Sequence, residues 1–172
     1  MNTIRITSGK YKGQVITTPG GKTHPMGERE RIALFNMITE YLPGVRMLDA
    51  YAGSGALGIE ALSRGASQVE FVEKSPTAAK TITANLRKLG VKERVCCGDA
   101  ADFTSREGFD LITADPPYDN FDLDGVEYLA GFLKNGGILA LSHPDEAPAL
   151  DGMELLKTRR YAGARISVYV KK

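Results

Sequence analysis

Leu48-Asp49-Ala50-Tyr51-Ala52-Gly53-Ser54-Gly55-Ala56-Leu57-Gly58 is the stretch that decides how this chain folds. Val45-Arg46-Met47-Leu48 has the residue types of a short strand, and Ala56 to Arg64, closed by Gly65, those of a helix. Between them Gly53, Gly55 and Gly58 fit G-x-G-x-x-G, and Glu73 stands 20 residues after Gly53, at the end of a second strand, Gln68 to Val72. Glycines in such a turn let backbone approach a ligand, the helix start offers free N–H groups, and the carboxylate can accept from ribose hydroxyls. A packing turn would use the same glycines; their order together with Glu73 favours a nucleoside site.

Working outward, strand and helix alternate. Ser75-Pro76 opens a helix to Leu89, with serine as cap, proline at the first position and Gly90 past the end. Arg94 to Cys97 and Phe109 to Ala114 read as the third and fourth strands. A helix near Gly125 to Leu133 precedes Gly136-Gly137 and a fifth strand, Ile138 to Leu141. Met153 to Arg160 and Ala164 to Val170 read as an antiparallel pair around Ala162-Gly163. Upstream, a helix from Glu28 to Tyr41 carries Ile32, Leu34, Phe35 and Ile38 at helical spacing, and Thr3 to Thr7 with Gln14 to Thr18 read as a hairpin. Alternation of this kind implies an open, doubly wound α/β sheet. The expected division is a basic hairpin extension at 1–23 and the α/β domain at 24–172.

In such a sheet ligands bind beyond the carboxyl ends of the strands. Four residues, including Asp49 and Tyr51, separate Leu48 from Gly53, whereas a dinucleotide fingerprint begins directly after its strand. An acid there disfavours pyrophosphate and suits a sulfonium and an ammonium, which points to S-adenosylmethionine rather than NAD. A hydride-transfer acid is also lacking: His143 is the one candidate, and Pro144 behind it makes a structural role the better reading. After the third strand, Asp99-Ala100 can read an adenine, or Asp99 can simply cap the next segment. After the fourth comes Asp115-Pro116-Pro117-Tyr118. Two prolines hold the chain stiff and extended. The Asp115 carboxylate and the Pro116 carbonyl could then hold both hydrogens of an exocyclic base amine, orienting its delocalised lone pair, while Tyr118 offers a face for stacking.

Composition sets limits. The chain has 172 residues, 42% apolar and 25% charged, enough for one domain that buries roughly 70% of its unfolded surface without a staple. Lys and Arg number 22 against 21 Asp and Glu, so any nucleic-acid contact needs a local patch. Arg5, Lys10, Lys12 and Lys22 precede the first acid and form one, with Tyr11 between two of the lysines. No apolar run reaches the ~18 residues of a membrane span, and the first ten residues contain no secretion signal, so a cytoplasmic location is expected. Cys96 and Cys97 are expected to be reduced core thiols, with no metal site.

The loops Asp49 to Gly55, Glu73, Asp99 and Asp115 to Tyr118 resemble those of amino-methylating class I S-adenosylmethionine-dependent methyltransferases. Arg5 to Gly13, Arg29 to Asn36 and the run Asp49 to Gly65 further resemble the bacterial RsmD family, whose members methylate the N2 amine of one guanine in 16S ribosomal RNA. The resemblance covers about residues 4–142. It implies a Rossmann-like fold: a mostly parallel, doubly wound seven-stranded sheet with an antiparallel C-terminal pair and a small N-terminal β-hairpin. It also implies S-adenosylmethionine held by Asp49, Ala50, Tyr51, Gly53, Ser54, Gly55, Glu73, Lys74, Asp99, Ala100 and Asp115. Asp115, Pro116, Pro117 and Tyr118 would present the amine, and Arg5, Lys10, Tyr11, Lys12, Lys22, Arg29 and Arg31 would bind RNA. The partner implied is 16S RNA in an assembling small subunit, met by a monomer. Adenine-N6 or cytosine-N4 methylation of DNA or other RNA, and a noncatalytic ribosome-assembly role, are the alternatives. Two departures stand near the cofactor's methionine end: His24-Pro25-Met26 in place of Arg-Pro-Thr, and Ile32 in place of a Glu.

Overall fold

The structure, a computed structural model, describes residues 2–21, 25–161 and 163–172. Lys22 and His24, and Ala162 in the C-terminal turn, fall outside the described residues.

β1 (Thr3–Arg5) and β2 (Val15–Thr17) form an antiparallel hairpin. α1 (Glu28–Ile38) follows, running into a 3-10 turn at Thr39–Tyr41. Then come β3 (Arg46–Ala50), α2 (Ala56–Ser63), β4 (Gln68–Glu73), α3 (Pro76–Lys88), β5 (Val95–Cys97), β6 (Phe109–Ala114), α4 (Leu123–Ala130), β7 (Leu133–His143), β8 (Met153–Tyr161) and β9 (Ala164–Lys171). One seven-stranded sheet takes the order β5-β4-β3-β6-β7-β9-β8. β3 to β7 are parallel, and β9 is antiparallel to both β7 and β8. The order reverses between β3 and β6, where Asp49 pairs with Thr113 and Ala50 with Ala114, so Tyr51 and Asp115, the residues that follow the two strands, flank the crevice.

Apolar residues on the two sheet faces feed two cores. One joins Met47, Phe71, Ala140 and Ile166 to Leu34, Phe35 and Ile38 of α1 and to Ile82 and Leu86 of α3. The other joins Leu48, Ile112 and Leu139 to Val126 and Leu129 of α4. Ile6 and Ile16 of the hairpin are fully buried in the first core, so the extension shares the sheet's packing. Gly58 shows why a glycine is required in α2: a Cβ there would lie 2.3 Å from the Phe71 ring, so only hydrogen lets this helix rest on β4. Ser75 caps α3, its hydroxyl accepting from the Ala78 N–H at 3.3 Å.

Three sequence expectations are corrected. The fourth helix starts earlier, at Leu123, because Asp122 caps it by accepting from the Gly125 N–H at 2.9 Å. It ends at Ala130, and Leu133 opens β7. The pair Gly136-Gly137 does not break that strand: Leu133 pairs with Phe109 and Ile138 with Leu111, so the residues between them bulge, with Gly136 at φ 78°. Cys96 and Cys97 are free thiols, but Cys97 is exposed and Cys96 only half-buried, since β5 is an edge strand.

Candidate functional site

A cavity of about 1360 Å³ opens above the carboxyl ends of β3 to β6. Tyr51, Gly53, Glu73, Lys74, Asp99, Ala100 and Asp115 to Tyr118 all line it, as the sequence expects. The ends of four different strands, β3 to β6, therefore converge on one space.

Each wall residue is held in place. Glu73 accepts from the Gly53 N–H at 2.7 Å and from the Ser75 N–H at 2.8 Å, tying the glycine loop to the end of β4. Asp99 accepts from the Ala101 N–H at 3.0 Å and meets Lys74 Nζ at 3.2 Å. Those two contacts hold its carboxyl below the usual range. Asp99 thus caps the short turn after β5 and also faces the cavity. Tyr51 is the one non-glycine among the described residues with left-handed backbone, at φ 56°. Its hydroxyl donates to Asp122 Oδ2 at 2.9 Å, which offsets part of that strain and locks the loop to α4. Burial and Asp122 push the Tyr51 hydroxyl's pKa up.

The acceptor corner is equally fixed. The Tyr118 ring is 37% exposed while its hydroxyl is hydrogen-bonded to Ser142 Oγ at the end of β7. Burial raises the Asp115 carboxyl to about 6, against a hydrogen bond from Ser142 that lowers it. Ser142 therefore fixes the Tyr118 end of the Asp-Pro-Pro-Tyr loop. His143 beside it is buried, its Nδ1 on the Asp145 carbonyl at 2.9 Å and its Nε2 on Ser167 Oγ at 2.7 Å, so the structural reading of this histidine holds.

Other expected residues lie elsewhere. Asp49, Ala50, Ser54 and Gly55 are buried and do not line the cavity. Asp49 accepts from the Gly58 N–H at 2.8 Å and from Thr113 Oγ1 at 3.4 Å, so it caps α2 from below the cavity floor, and burial pushes its carboxyl well up. Arg31 is a correction to the RNA-binding set. It is 1% exposed, its guanidinium donates to the Arg5 carbonyl at 2.9 Å and pairs with Glu60 at 3.5 Å, and no nucleic acid can reach it. The hairpin tip docks on Ser63, with the Lys10 N–H on its carbonyl at 2.8 Å and the Tyr11 N–H on its hydroxyl at 2.8 Å. Ser63 ends α2 and Ala56 starts it, so Lys10 and Lys12 sit roughly 10 Å along the helix from the cavity. Tyr11 packs on the core with Lys10 Nζ 5.3 Å from its ring centre. Arg5 donates to the Gly13 carbonyl at 3.1 Å, and Arg29 is exposed at the start of α1.

Several wall residues went unread in the sequence. Gly27 and Glu30 bring the start of α1 to the cavity, beside Pro25 and the departing residue Met26. Asp122 was signalled by its cap position three residues before Gly125. Tyr161, Gly163 and Ala164 reach the cavity from the β8–β9 turn, which no local pattern signals. In all, seven described lining residues are acidic (Glu30, Glu73, Asp99, Asp115, Asp119, Asp122, Asp124) against one cation, Lys74. Such a lining attracts a positively charged ligand and repels a phosphorylated one.

Residues 4–170 match the model of a family described as conserved hypothetical protein 95. The Bacillus subtilis protein YlbH, whose name makes it a candidate rRNA methyltransferase, is 33% identical over 98% of this chain and 100% of its own length. Ribosomal RNA small subunit methyltransferase D of Haemophilus influenzae is 34% identical over 67% of this chain and 64% of its own, so that match spans under two thirds of the relative. Among solved structures, the Escherichia coli candidate methyltransferase yhhF superposes with a TM-score of 0.88 at 26% identity, covering 99% of both chains.

Proposed function

This chain belongs to the conserved hypothetical protein 95 (RsmD) family and has a Rossmann-like methyltransferase fold, and from that premise we propose that it transfers a methyl group from S-adenosylmethionine to the N2 amine of a guanine in 16S ribosomal RNA. The observation that carries this reading is the placement of the Asp115-Pro116-Pro117-Tyr118 corner in the wall of a cavity whose charged lining is seven acids against one lysine.

The residues fit the cofactor. Glu73 would accept from its ribose hydroxyls and Asp99 with Ala100 would read its adenine. The carboxylates of the lining would balance its sulfonium and ammonium charges. Gly98 lines the cavity and an added Cβ there meets no protein atom within 4 Å, so the missing side chain leaves room for a ligand. When bound, S-adenosylmethionine supplies an electrophilic methyl group. Asp49, Ala50, Ser54 and Gly55 contribute from beneath, by setting the start of α2 and the shape of the glycine loop.

The chain's own chemistry is on the acceptor side. The Asp115 carboxylate and the Pro116 carbonyl take the two amine hydrogens, which turns the nitrogen lone pair out of the ring system. Asp115 also stabilises the positive charge that grows on nitrogen and can receive the departing proton, since its pKa of about 6 matches that task. Tyr118, anchored through Ser142, presents its ring for the base to stack on. A paired guanine cannot reach this corner, so the substrate is unpaired or flipped out at a cost of about a few kcal/mol. The reading includes a cytoplasmic monomer acting on an assembling small subunit, with residues 1–23 as an extension of the 24–172 catalytic domain.

The test is methyl transfer from labelled S-adenosylmethionine to small subunits and to naked RNA, followed by nucleoside mass analysis. N2-methylguanine is the expected product. N6-methyladenine or N4-methylcytosine, or a preference for duplex DNA, would replace the reading with its alternatives. Asp115→Ala should abolish turnover while leaving cofactor affinity within a few-fold in calorimetry. A wild-type chain that does not bind the cofactor would revert to a noncatalytic assembly role.

A further inference from the structure

RNA carries a phosphate on every nucleotide, and a cavity lined by seven carboxylates against one lysine repels it. Cations that hold the backbone while one base enters must therefore stand at the rim. The tip lysines of the N-terminal hairpin do not, since they dock at the far end of α2.

The β8–β9 end does. Tyr161 and Ala164 line the cavity and pair with each other across the two strands. Arg159 and Arg160 immediately precede Tyr161, and Arg165 follows Ala164. Register fixes where these cations lie. Ser142, Ile166 and Arg159 form one row across β7, β9 and β8, and His143, Arg165 and Arg160 form the next. Residues in a row share a sheet face. Arg159 is therefore on the face of Ser142, the residue that holds Tyr118, and two strand spacings, roughly 10 Å, away. Arg160 and Arg165 occupy the opposite face, so the strand end presents cations on both sides.

These arginines are not consumed by the fold. Arg159 and Arg160 are exposed and make no ion pair among the described residues; the Arg159 guanidinium meets only the Thr158 carbonyl, at 3.2 Å. Arg165 pairs at 3.0 Å with Glu146, whose side chain is itself 96% exposed. Cations also protect an edge strand from pairing with other chains, but that duty would spread them along β8. The arginines instead gather at the cavity end: Met153-Glu154-Leu155-Leu156 has no cation, Lys157 stands at the middle of β8, and Arg159 and Arg160 directly precede Tyr161.

We propose that the cavity end of the β8–β9 hairpin is the docking surface for RNA phosphates flanking the base that enters beside Tyr118. This rests on the RNA reading above, and it assigns to the C-terminal strands the role that sequence gave to the N-terminal hairpin. Arginine suits the task because its planar guanidinium can meet two phosphate oxygens at once.

The test compares Arg159→Glu/Arg160→Glu with Lys10→Glu/Lys12→Glu. The probe is a fluorescently labelled RNA stem-loop with an unpaired guanine, titrated by anisotropy over a range of salt, with methyl transfer measured in parallel. All four residues are exposed, and unchanged melting and cofactor binding verify that each variant folds. The Arg159→Glu/Arg160→Glu variant, which alters this lip of the cavity, should bind RNA at least tenfold more weakly, with a slope of log affinity against log salt shallower by about 1.4, two single-strand contacts at about 0.7 each. Its KM should rise while kcat holds. The hairpin variant should stay within a few-fold of wild type. Wild-type affinity and slope in the lip variant overturn the proposal, and weakening confined to the hairpin variant returns the role to Lys10 and Lys12. A wild-type chain that binds RNA through the lip yet transfers no methyl group overturns the methyltransferase reading instead, leaving the docking surface standing.

Discussion

Asp115 shows how function and stability oppose each other at one residue. Its carboxyl titrates near 6 in the folded chain, against an ordinary value of 3.8. Between those two values the native state holds more protons than the unfolded one, so this group's contribution to stability falls as pH rises through the window. The shift corresponds to at most about 3 kcal/mol, and less because the side chain is partly open to cavity water. Asp115→Asn should therefore be more stable than wild type above about pH 6, with the advantage vanishing near pH 4. Denaturant unfolding at both pH values measures this, and a pH-independent difference would refute it. Turnover should run the other way, since only the ionised carboxylate accepts both an amine hydrogen and developing charge. The kcat/KM profile should lose activity as pH falls through about 6. The place of this loop in the cavity wall was legible in the sequence because Asp-Pro-Pro-Tyr directly follows a strand and carries its own local stiffness. The place of Asp49 was not, because an acid at a strand end can face the ligand or turn under the next helix. Only the packed Gly58 N–H shows which.

Among the elements, the N-terminal hairpin, with Ile6 and Ile16 in the core, has one buried carboxylate at the centre of its polar contacts with α2. Glu60 of α2 accepts from the Thr7 and Ser8 N–H groups at 3.1 Å and from Arg64 Nε at 3.2 Å, and pairs with Arg31. Ser63, one turn on, donates to the Ser8 carbonyl. Glu60→Ala would leave the Arg31 charge buried without its partner, which costs about 3–5 kcal/mol. The loss should be local in origin: hydrogen exchange in residues 3–17 should accelerate well before that in β3 and β6. Uniform acceleration across the sheet would show that the hairpin is not a separable layer. The resemblance implied Arg31 among the RNA-binding cations, beside Arg29 at the start of α1. Helical spacing explains the error: Arg31 lies on the Leu34 and Phe35 side of α1, whose buried residues face the core. The order and type of the elements were legible from alternation and caps. The bulge at Gly136-Gly137 was misread, because two glycines after a helix signal a turn unless a neighbouring strand, here β6, pairs with the residues on both sides of them.

At the scale of the whole molecule, near-neutral charge conceals a segregation: a net of +1 combines an acidic cavity with arginines on its C-terminal rim. Three distant parts of the chain build that cavity, the start of α1, the ends of β3 to β6, and the β8–β9 turn. The middle part was legible, because each of its loops follows a strand directly. The third was not, because Tyr161 reaches the site only once β9 inserts between β7 and β8, which is a matter of sheet order. Segregated charge makes ligand selection a property of the assembled fold. A cation-bearing nucleoside should stabilise the native state by about 2.7 kcal/mol at one hundred times its Kd. S-adenosylmethionine should accordingly raise the melting temperature by several degrees, and NAD, whose two phosphates would face the same carboxylates, should leave it unchanged. The contrast should be sharpest at low ionic strength, where repulsion among exposed charges is least screened. Equal stabilisation by the two nucleotides in a thermal-shift titration would mean that the acidic lining does not discriminate, and that the charge argument for the cofactor is wrong.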